Sequence, residues 1–374
     1  MSLVIPQGAL DCLESVADPR VNRRKLHKLS DILVLAVCGF IAGCEGWVDV
    51  ELFGISKQKW FEKFLELPNG IPSHDTFGRV FALLDPQQLA RVLRQFVQAV
   101  LGSLQGETIA IDGKTLRRSG ESTTGKDALH LVSAWATERG VVLGQMATAD
   151  HSNEIAAVPV LLQLLNVRGA TVTIDAMGCQ KAIAQQVCDQ GADYVLAVKG
   201  NQKNLEDAID FYMGRGHSNV PRSKLMTSEK NHGRTETRTY TTMAAPKVVR
   251  SEWPDAQSIV RVCRETVDGE GKKTKEVRQF ISSLPANVKR LAAAIRGHWG
   301  IENGLHWSLD VTFNEDQSRI RQGHAAENAA LLRRLSLSIL KQDTRYSNSL
   351  RGKRLRAGWE TTALEHFMAI FAGN

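Results

Sequence analysis

The sequence predicts an α/β protein in which a mixed-sheet core follows an all-α N-terminal region and is interrupted by a β-rich insertion. Three observations carry that expectation. Apolar residues recur at helical spacing up to about Leu104, short β-branched runs alternate with helical stretches from Gln105 to about Gly200, and two polar ribbons rich in Thr, Arg and Val occupy the chain between Asn201 and Leu284. With 374 residues and 43% hydrophobic content, the chain can bury two or three cores and lies outside the composition of disorder. The resulting divisions are 1–104, a helical N-terminal domain; 105–200, the first part of the core; 201–285, the insertion; and 286–374, a helical, basic C-terminal region.

In the first region, "ILVLAVCGFIAG" from Ile32 to Gly43 is apolar for about a dozen residues, short of the roughly 20 that span a bilayer, and has no signal layout. It reads as a buried helix, and no membrane partner is expected. "GIPSHDTFGRVFALL" offers Ser73 as an N-cap, with Phe77, Val80, Phe81 and Leu84 at helical spacing. "DPQQLARVLRQFVQAVLGSL" has Asp85 as N-cap and Pro86 at the first helical position, then a core stripe of Leu89, Val92, Leu93, Phe96, Val97, Val100 and Leu101. A short helix pair of this kind can enter a DNA groove or simply pack. The cluster Arg20, Arg23, Arg24, Lys25 and Lys28 leans slightly towards DNA.

Strands are expected at Thr108–Asp112, His130–Thr137 and Val141–Thr148, then a helix in "NEIAAVPVLLQLL", a strand in "ATVTIDA", a helix in "CQKAIAQQVCDQ" and a strand in "DYVLAVKG". The order β-β-β-α-β-α-β describes a meander followed by crossover units, hence a mixed sheet with helices on its faces. In the insertion, "SEKNHGRTETRTYTTM" and "IVRVCRETVDGEGKKTKEVRQFISS" read as antiparallel ribbons, the second turning at Asp268–Lys272. From Ala286 the chain is helical again, with "AAENAALLRRLSLSILKQ" strongly amphipathic.

The formal charge of +7 is compatible with a polyanionic partner without demanding one, and the region from Gln317 to Asn374 is the basic part, with ten Lys or Arg against four Asp or Glu. The six cysteines show neither paired zinc spacing nor the density of a secreted scaffold, and read as reduced thiols of a cytoplasmic protein.

The chemistry gathers around acids. In "AIDGKTLRRS", Asp112 ends a strand and precedes Lys114, Arg117 and Arg118; in "TVTIDAMGCQ", Asp175 ends another. An Asp-Gly pair followed by charges is by itself a plain turn. Two such aspartates on neighbouring strands can converge, and converging carboxylates are usually held by a hard divalent cation. The best third acid is Glu302 in "IRGHWGIENGLHWSLDVTFNEDQSR". There His298 and His306 flank it at four residues on either side, a spacing that could also ligate zinc on one helix face. The adjacent His-Glu arrangement of zinc peptidases is absent, and zinc would leave the strand-end aspartates without a role. A surface pairing of Glu302 with Arg296 is the plainer alternative.

Taken together, "HKLSDILVLAVCGFIAGCEGW", "GIPSHDTFGRVF", "IAIDGKTLRRS", "TIDAMGCQ", "YVLAVKGNQ", "NHGRTETR" and "RGHWGIENGLHWSLDVTFNEDQSRIR" resemble the H-repeat-associated proteins, transposases of bacterial insertion sequences with an Asp-Asp-Glu triad. The resemblance covers nearly the whole chain and implies a ribonuclease H-like catalytic core, with Asp112, Asp175 and Glu302 as catalytic, metal-binding residues. It further implies two Mg²⁺ ions per site, Mn²⁺ substituting, with Asp112 bridging both and the other two acids each holding one. The partner is double-stranded DNA, both element ends and target, bound by a homodimer in a cytoplasmic, nucleoid-associated complex. Lys114, Arg117, Arg118, Lys199, Arg234, Arg296, His298, Arg319 and Arg321 are the expected DNA contacts, with Arg333 and Arg334 as weaker candidates on the amphipathic helix.

Where hairpin-forming relatives carry Tyr, Arg and Lys around the Glu, this chain has Ile295, His298 and Leu309, so the triad carries over and the hairpin signature does not. Such relatives also hold a flipped base against an aromatic side chain of a comparable insertion; Trp253 is the candidate here, and its place before Pro254 equally suits a turn anchor. An active transposase is the leading reading. A DNA-binding relic without transposition, or a metal-dependent nuclease of defence or repair, are the rivals.

Overall fold

The computed structural model describes residues 7–21, 25–120, 125, 127–148, 154–214, 220–231 and 234–373. Arg23 and Arg24 of the basic cluster, and His232 and Gly233 of "NHGRTETR", lie outside the described residues. Helices α1 (Gln7–Glu14), α2 (Leu29–Ala42), α3 (Trp47–Ser56), α4 (Gln58–Phe61), α5 (His74–Leu83) and α6 (Pro86–Leu101) come first, followed by strands β1 (Thr108–Thr115), β2 (His130–Ala136) and β3 (Val141–Thr148). Crossover units follow: α7 (Glu154–Gln163), β4 (Thr171–Ile174), α8 (Lys181–Asp189), β5 (Asp193–Val198) and α9 (Lys203–Met213). The insertion comprises β6 (Arg222–Asn231), β7 (Arg234–Ala244), α10 (Lys247–Glu252), β8 (Ser258–Val267) and β9 (Lys273–Ser282). The chain ends in α11 (Val288–Ile301), a π-helical turn over Glu302–His306, α12 (Trp307–Val311), α13 (Ala325–Gln342), α14 (Leu350–Trp359) and α15 (Thr361–Phe371).

Nine strands form one mixed sheet in the order β3-β2-β1-β4-β5-β9-β8-β7-β6. β1, β4 and β5 run parallel, joined by crossover connections, whereas β2–β3 and the β5-β9-β8-β7-β6 run are antiparallel. The described residues fall into two compact units, one of residues 1–103, 113–153 and 302–374, the other of 104–112 and 154–301. In space, therefore, the N-terminal helices share a unit with β2, β3 and the C-terminal helices, and β1 passes from one unit into the other.

The first unit is built around α2, whose residues from Ile32 to Ile41 are all buried, as an all-round apolar helix must be. Trp47 stacks on Phe81 at 4.5 Å and on Phe77 at 6.3 Å, so α5 buries its aromatic face in this core. Both expected caps form: Ser73 accepts from the Thr76 amide and Asp85 from the Gln87 amide. No single described helix is long and apolar enough to cross a membrane. All six cysteines are free, with Cys38, Cys44 and Cys179 buried. In the other unit, α11 packs on the insertion and β5 through Leu291, Ala294 and Ile295 against Val195, Tyr240, Val260 and Phe280.

The basic C-terminal region exposes less of its charge than its composition suggests, and Arg333 and Arg334 do not lie on an open face. α13 is amphipathic in sequence, yet nearly all of it is buried, Arg333 and Arg334 included. Arg334 donates to Glu315 at 2.8 Å and to the Ala330 carbonyl at 3.2 Å, while Arg333 donates to Ser318 Oγ at 2.9 Å. Lys353 and Arg354 are buried too; Lys353 is held by the Leu340 and Asp343 carbonyls and by the Asp343 carboxylate. Arg354 stacks on Phe313 at 4.1 Å, and burial brings its guanidinium down to about 10. Much of the local positive charge is thus internal, matched by carbonyls and acids rather than exposed to a polyanion.

Glu327 on α13 carries a pH dependence. Burial, helped by the charge of Asp85, raises its carboxyl from 4.5 to about 7. The native chain therefore keeps a proton that the unfolded chain has released, so this contribution is full below pH 4.5 and is lost as pH rises through 7. Glu327→Gln is expected to match wild type in urea unfolding near pH 5 and to be more stable by about 1–3 kcal/mol above pH 8. Equal stabilities at both pH values would show that the carboxyl is ionised throughout.

Candidate active site

β1 and β4 pair in parallel with Ile111 opposite Ile174, so Asp112 and Asp175 are the next residues along two neighbouring strands. Strands hydrogen-bonded in this way lie about 4.8 Å apart, close enough for the two carboxyl groups to meet. Both aspartates are half-buried. β1 runs three residues beyond the expected end at Asp112, so the first acid is inside a strand rather than at its tip.

The turn after β4 is built to hold Asp175 still. Its Oδ1 accepts from the Met177 amide at 3.0 Å and from the Gly178 amide at 3.3 Å. Gly178 lies against Ile174 so closely that a Cβ would run into the isoleucine side chain. From the end of β5, the side-chain amide of Asn201 donates to the Ala176 carbonyl at 2.6 Å and that of Gln202 to the Cys179 carbonyl at 2.9 Å. Asn201 and Gln202, in "YVLAVKGNQ", thus brace the turn that carries Asp175, a role that residue type alone does not mark. The signal was present: two amides directly after a strand, one crossover unit beyond Asp175.

α11 lies against β4. His298 Nδ1 is 3.0 Å from Thr173 Oγ1, and Thr173, two residues before Asp175, points to the same side of the strand. Burial favours the neutral ring and holds the His298 imidazole below its ordinary value, against the opposing pull of the Asp175 carboxylate, which raises it. His298 is therefore packed against the sheet rather than offered as a cation. Glu302 stands one turn further on, exposed, at the first residue of the π-helical turn. Such turns are rare and recur at functional sites. Among the described residues, no three His, Cys, Asp or Glu groups are gathered closely enough to hold a metal ion, which applies to His298, Glu302 and His306 and equally to Asp112, Asp175 and Glu302. The paired aspartates nevertheless have the donor chemistry of a hard divalent cation, to which a third oxygen donor has to be added.

The expected DNA contacts separate into groups. Lys114 is buried, with its ammonium 2.8 Å from both Asp310 and Asp316, so it is not the phosphate contact expected from its place after Asp112. Arg117 is 81% exposed in its side chain and touches Asp316 at 3.2 Å. Arg118 and Arg319 are exposed, and Arg321 donates to the Arg118 carbonyl at 2.8 Å, so Arg118 and Arg321 are neighbours. In the other unit Lys199 and Arg234 are exposed, while Arg296 pairs with Glu229 at 3.1 Å and not with Glu302. Of the N-terminal cluster, Arg20 and Lys25 pair with Asp18, and Lys28 with Glu66. Trp253 is 3% exposed at the C-terminal end of α10, with Lys181 over its ring; it anchors that turn and has no face open to a base.

A family model described as "Transposase DDE domain" matches residues 103–339, and one described as "DDE_Tnp_1-associated" matches residues 10–97. Over 370 residues the chain is 39% identical to "Putative transposase YncI" of Escherichia coli, spanning 97% of this chain and 95% of that protein. It is 38% identical over 367 residues to "H repeat-associated putative transposase YhhI", also of Escherichia coli, spanning 96% and 97%. Among solved structures, the cryo-EM structure of the piggyBac transposase synaptic complex with hairpin DNA aligns with a TM-score of 0.43 at 10% identity, covering 98% of this chain and 82% of that one. The relatives along its length and the match over its catalytic segment favour an insertion-sequence transposase over a relic, and the chain belongs to the DDE transposase family.

Proposed function

We propose that this transposase cuts and joins DNA at the ends of its element through a divalent-metal site made by Asp112, Asp175 and Glu302. The observation that carries the reading is the in-register succession of Asp112 and Asp175 after the Ile111–Ile174 pair. The three carboxylates would hold two Mg²⁺ ions, or Mn²⁺ in their place. Bound there, such ions supply Lewis acidity at the phosphodiester and lower the pKa of an attacking water. The protein's own part is placement. The amides of Met177 and Gly178 orient the Asp175 carboxylate, Asn201 and Gln202 brace the turn beneath it, and neutral His298 adds no positive charge that would compete for the carboxylates.

Strands β1 to β5 support a ribonuclease H-like core, a meander extended by parallel crossover strands. Two element ends must reach one target, which suits a homodimer working on double-stranded DNA in the nucleoid. Purified protein, incubated with labelled linear DNA bearing its own element ends and Mg²⁺ or Mn²⁺, is expected to release 3′-OH ends and then joined products. Cleavage that proceeds equally in excess chelator would refute the metal-dependent reading.

Arg117, Arg118, Arg319 and Arg321 are read as phosphate contacts, supported by exposure of the first three and by the Arg321–Arg118 contact. Arg319→Ala is expected to weaken binding to all duplexes alike and to reduce the slope of log affinity against log salt by about one. Arg333→Ala, by contrast, is expected to lower stability and leave the slope alone. A salt slope that follows Arg333 and ignores Arg319 would reverse the assignment.

A further inference from the structure

Lys114 is the second residue after Asp112 in β1, and residues two apart in a strand project to the same face. Its side chain is only 8% exposed, and its ammonium meets Asp310 Oδ1 at 2.8 Å, Asp316 Oδ1 at 2.8 Å and Glu315 Oε2 at 3.7 Å. All three acids come from the segment that follows Glu302. The cluster is balanced in charge: Arg334, wholly buried, binds the other oxygen of Glu315 at 2.8 Å, and Arg117 binds the other oxygen of Asp316 at 3.2 Å. Three carboxylates therefore share three cations, with Lys114 at the centre. A phosphate reaching Lys114 would have to displace carboxylates already bound to a buried ammonium, and leave the buried Glu315 short of a partner. Burial raises the Asp310 carboxyl although Lys114 pulls it down.

We propose that Lys114 is a positioning residue for the metal site, tying the end of the strand that carries Asp112 to the segment that follows Glu302. This rests on the carboxylate-triad reading above. A lysine suits the role because its compact ammonium has three donors that can be divided among several acids from one chain segment. From Glu302 to Asp310 is eight residues, roughly 12 Å if helical, so an anchor at Asp310 limits how far the third acid can wander. When the anchor is loosened, the carboxylates are still present and their geometry is lost, which weakens metal binding before it weakens DNA binding.

The test measures Mn²⁺ binding to the full chain by electron paramagnetic resonance in the presence of a 30-base-pair duplex of arbitrary sequence, together with duplex affinity across a salt series and the thermal midpoint. Lys114→Ala is expected to weaken Mn²⁺ binding by about ten-fold or more, Lys114→Arg to recover part of that loss, and both to keep the wild-type salt slope. Unchanged Mn²⁺ affinity, even with a lowered thermal midpoint, would make Lys114 plain scaffold and overturn the proposal. A slope reduced by about one would make it a phosphate contact, with the same consequence. If Lys114→Ala does not fold, Asp310→Asn decides: it keeps the Lys114 contact with Asp316 and loosens the anchor nearer Glu302, and wild-type Mn²⁺ binding in that folded variant would overturn the proposal. Asp112→Ala is the reference. Wild-type Mn²⁺ affinity in Asp112→Ala would defeat the triad reading whatever Lys114 does, and no Mn²⁺ binding by the wild type would count against both.

Discussion

Alanine at Asp112 or at Asp175 is expected to abolish strand cleavage, a loss of about 10³-fold or more, while duplex affinity and the thermal midpoint stay near wild type. The size follows from the role. A divalent cation supplies several kcal/mol of charge stabilisation, and each 1.36 kcal/mol is a factor of ten in rate. The sparing of the fold follows from position, because both side chains are half-buried and neither belongs to the apolar core. Asp175→Ala also loses the bonds from the Met177 and Gly178 amides, so it is expected to be slightly the less stable of the two. Glu302→Gln keeps the size and polarity of an exposed side chain and is expected to fail in cleavage alone. Near-normal Mg²⁺-dependent cleavage by any two of these variants would sink the triad.

Features that depend on local rules were legible in the sequence. Asp85 followed by Pro86 fixed the start of α6, the β-branched run fixed β3 to the residue, and the turn at Asp268–Lys272 falls between β8 and β9. The two aspartates were legible for the same reason, since each directly follows a short apolar stretch whose strand character is unmistakable. What stayed hidden was the partner of each charged side chain. The periodicity of α13 correctly marks Arg333 and Arg334 as a polar face, but a polar face can look onto Glu315 and Ser318 as well as onto water. The same holds for Lys114, whose acids lie roughly 200 residues further along the chain. Trp253 shows the apolar counterpart: a lone tryptophan in a polar ribbon looks like a binding element until the packing of α10 is known. The bracing by Asn201 and Gln202 is invisible in the sequence because their acceptors are backbone carbonyls of another segment.

The pair Arg334–Glu315 offers the largest expected change in stability. Both side chains have no exposure, and their contact is 2.8 Å. Taking one partner away leaves an uncompensated charge in a dry interior, which costs about 3–5 kcal/mol, whereas removing both can cost little or even stabilise. The two single variants should not be equal. Without Arg334, Glu315 keeps only the 3.7 Å contact with Lys114, whose ammonium is already engaged by Asp310 and Asp316. Without Glu315, Arg334 retains the Ala330 carbonyl at 3.2 Å and Ser133 Oγ at 3.4 Å, and Lys114 keeps two acids. Arg334→Met is therefore expected to be the more damaging, Glu315→Leu the less, and the double variant Arg334→Met/Glu315→Leu more stable than Arg334→Met alone. Urea unfolding of the four proteins gives the coupling directly as a double-mutant cycle. A double variant whose loss equals the sum of the singles would mean that the two charges do not stabilise one another, and that the interior of this unit is wetter than the contact implies.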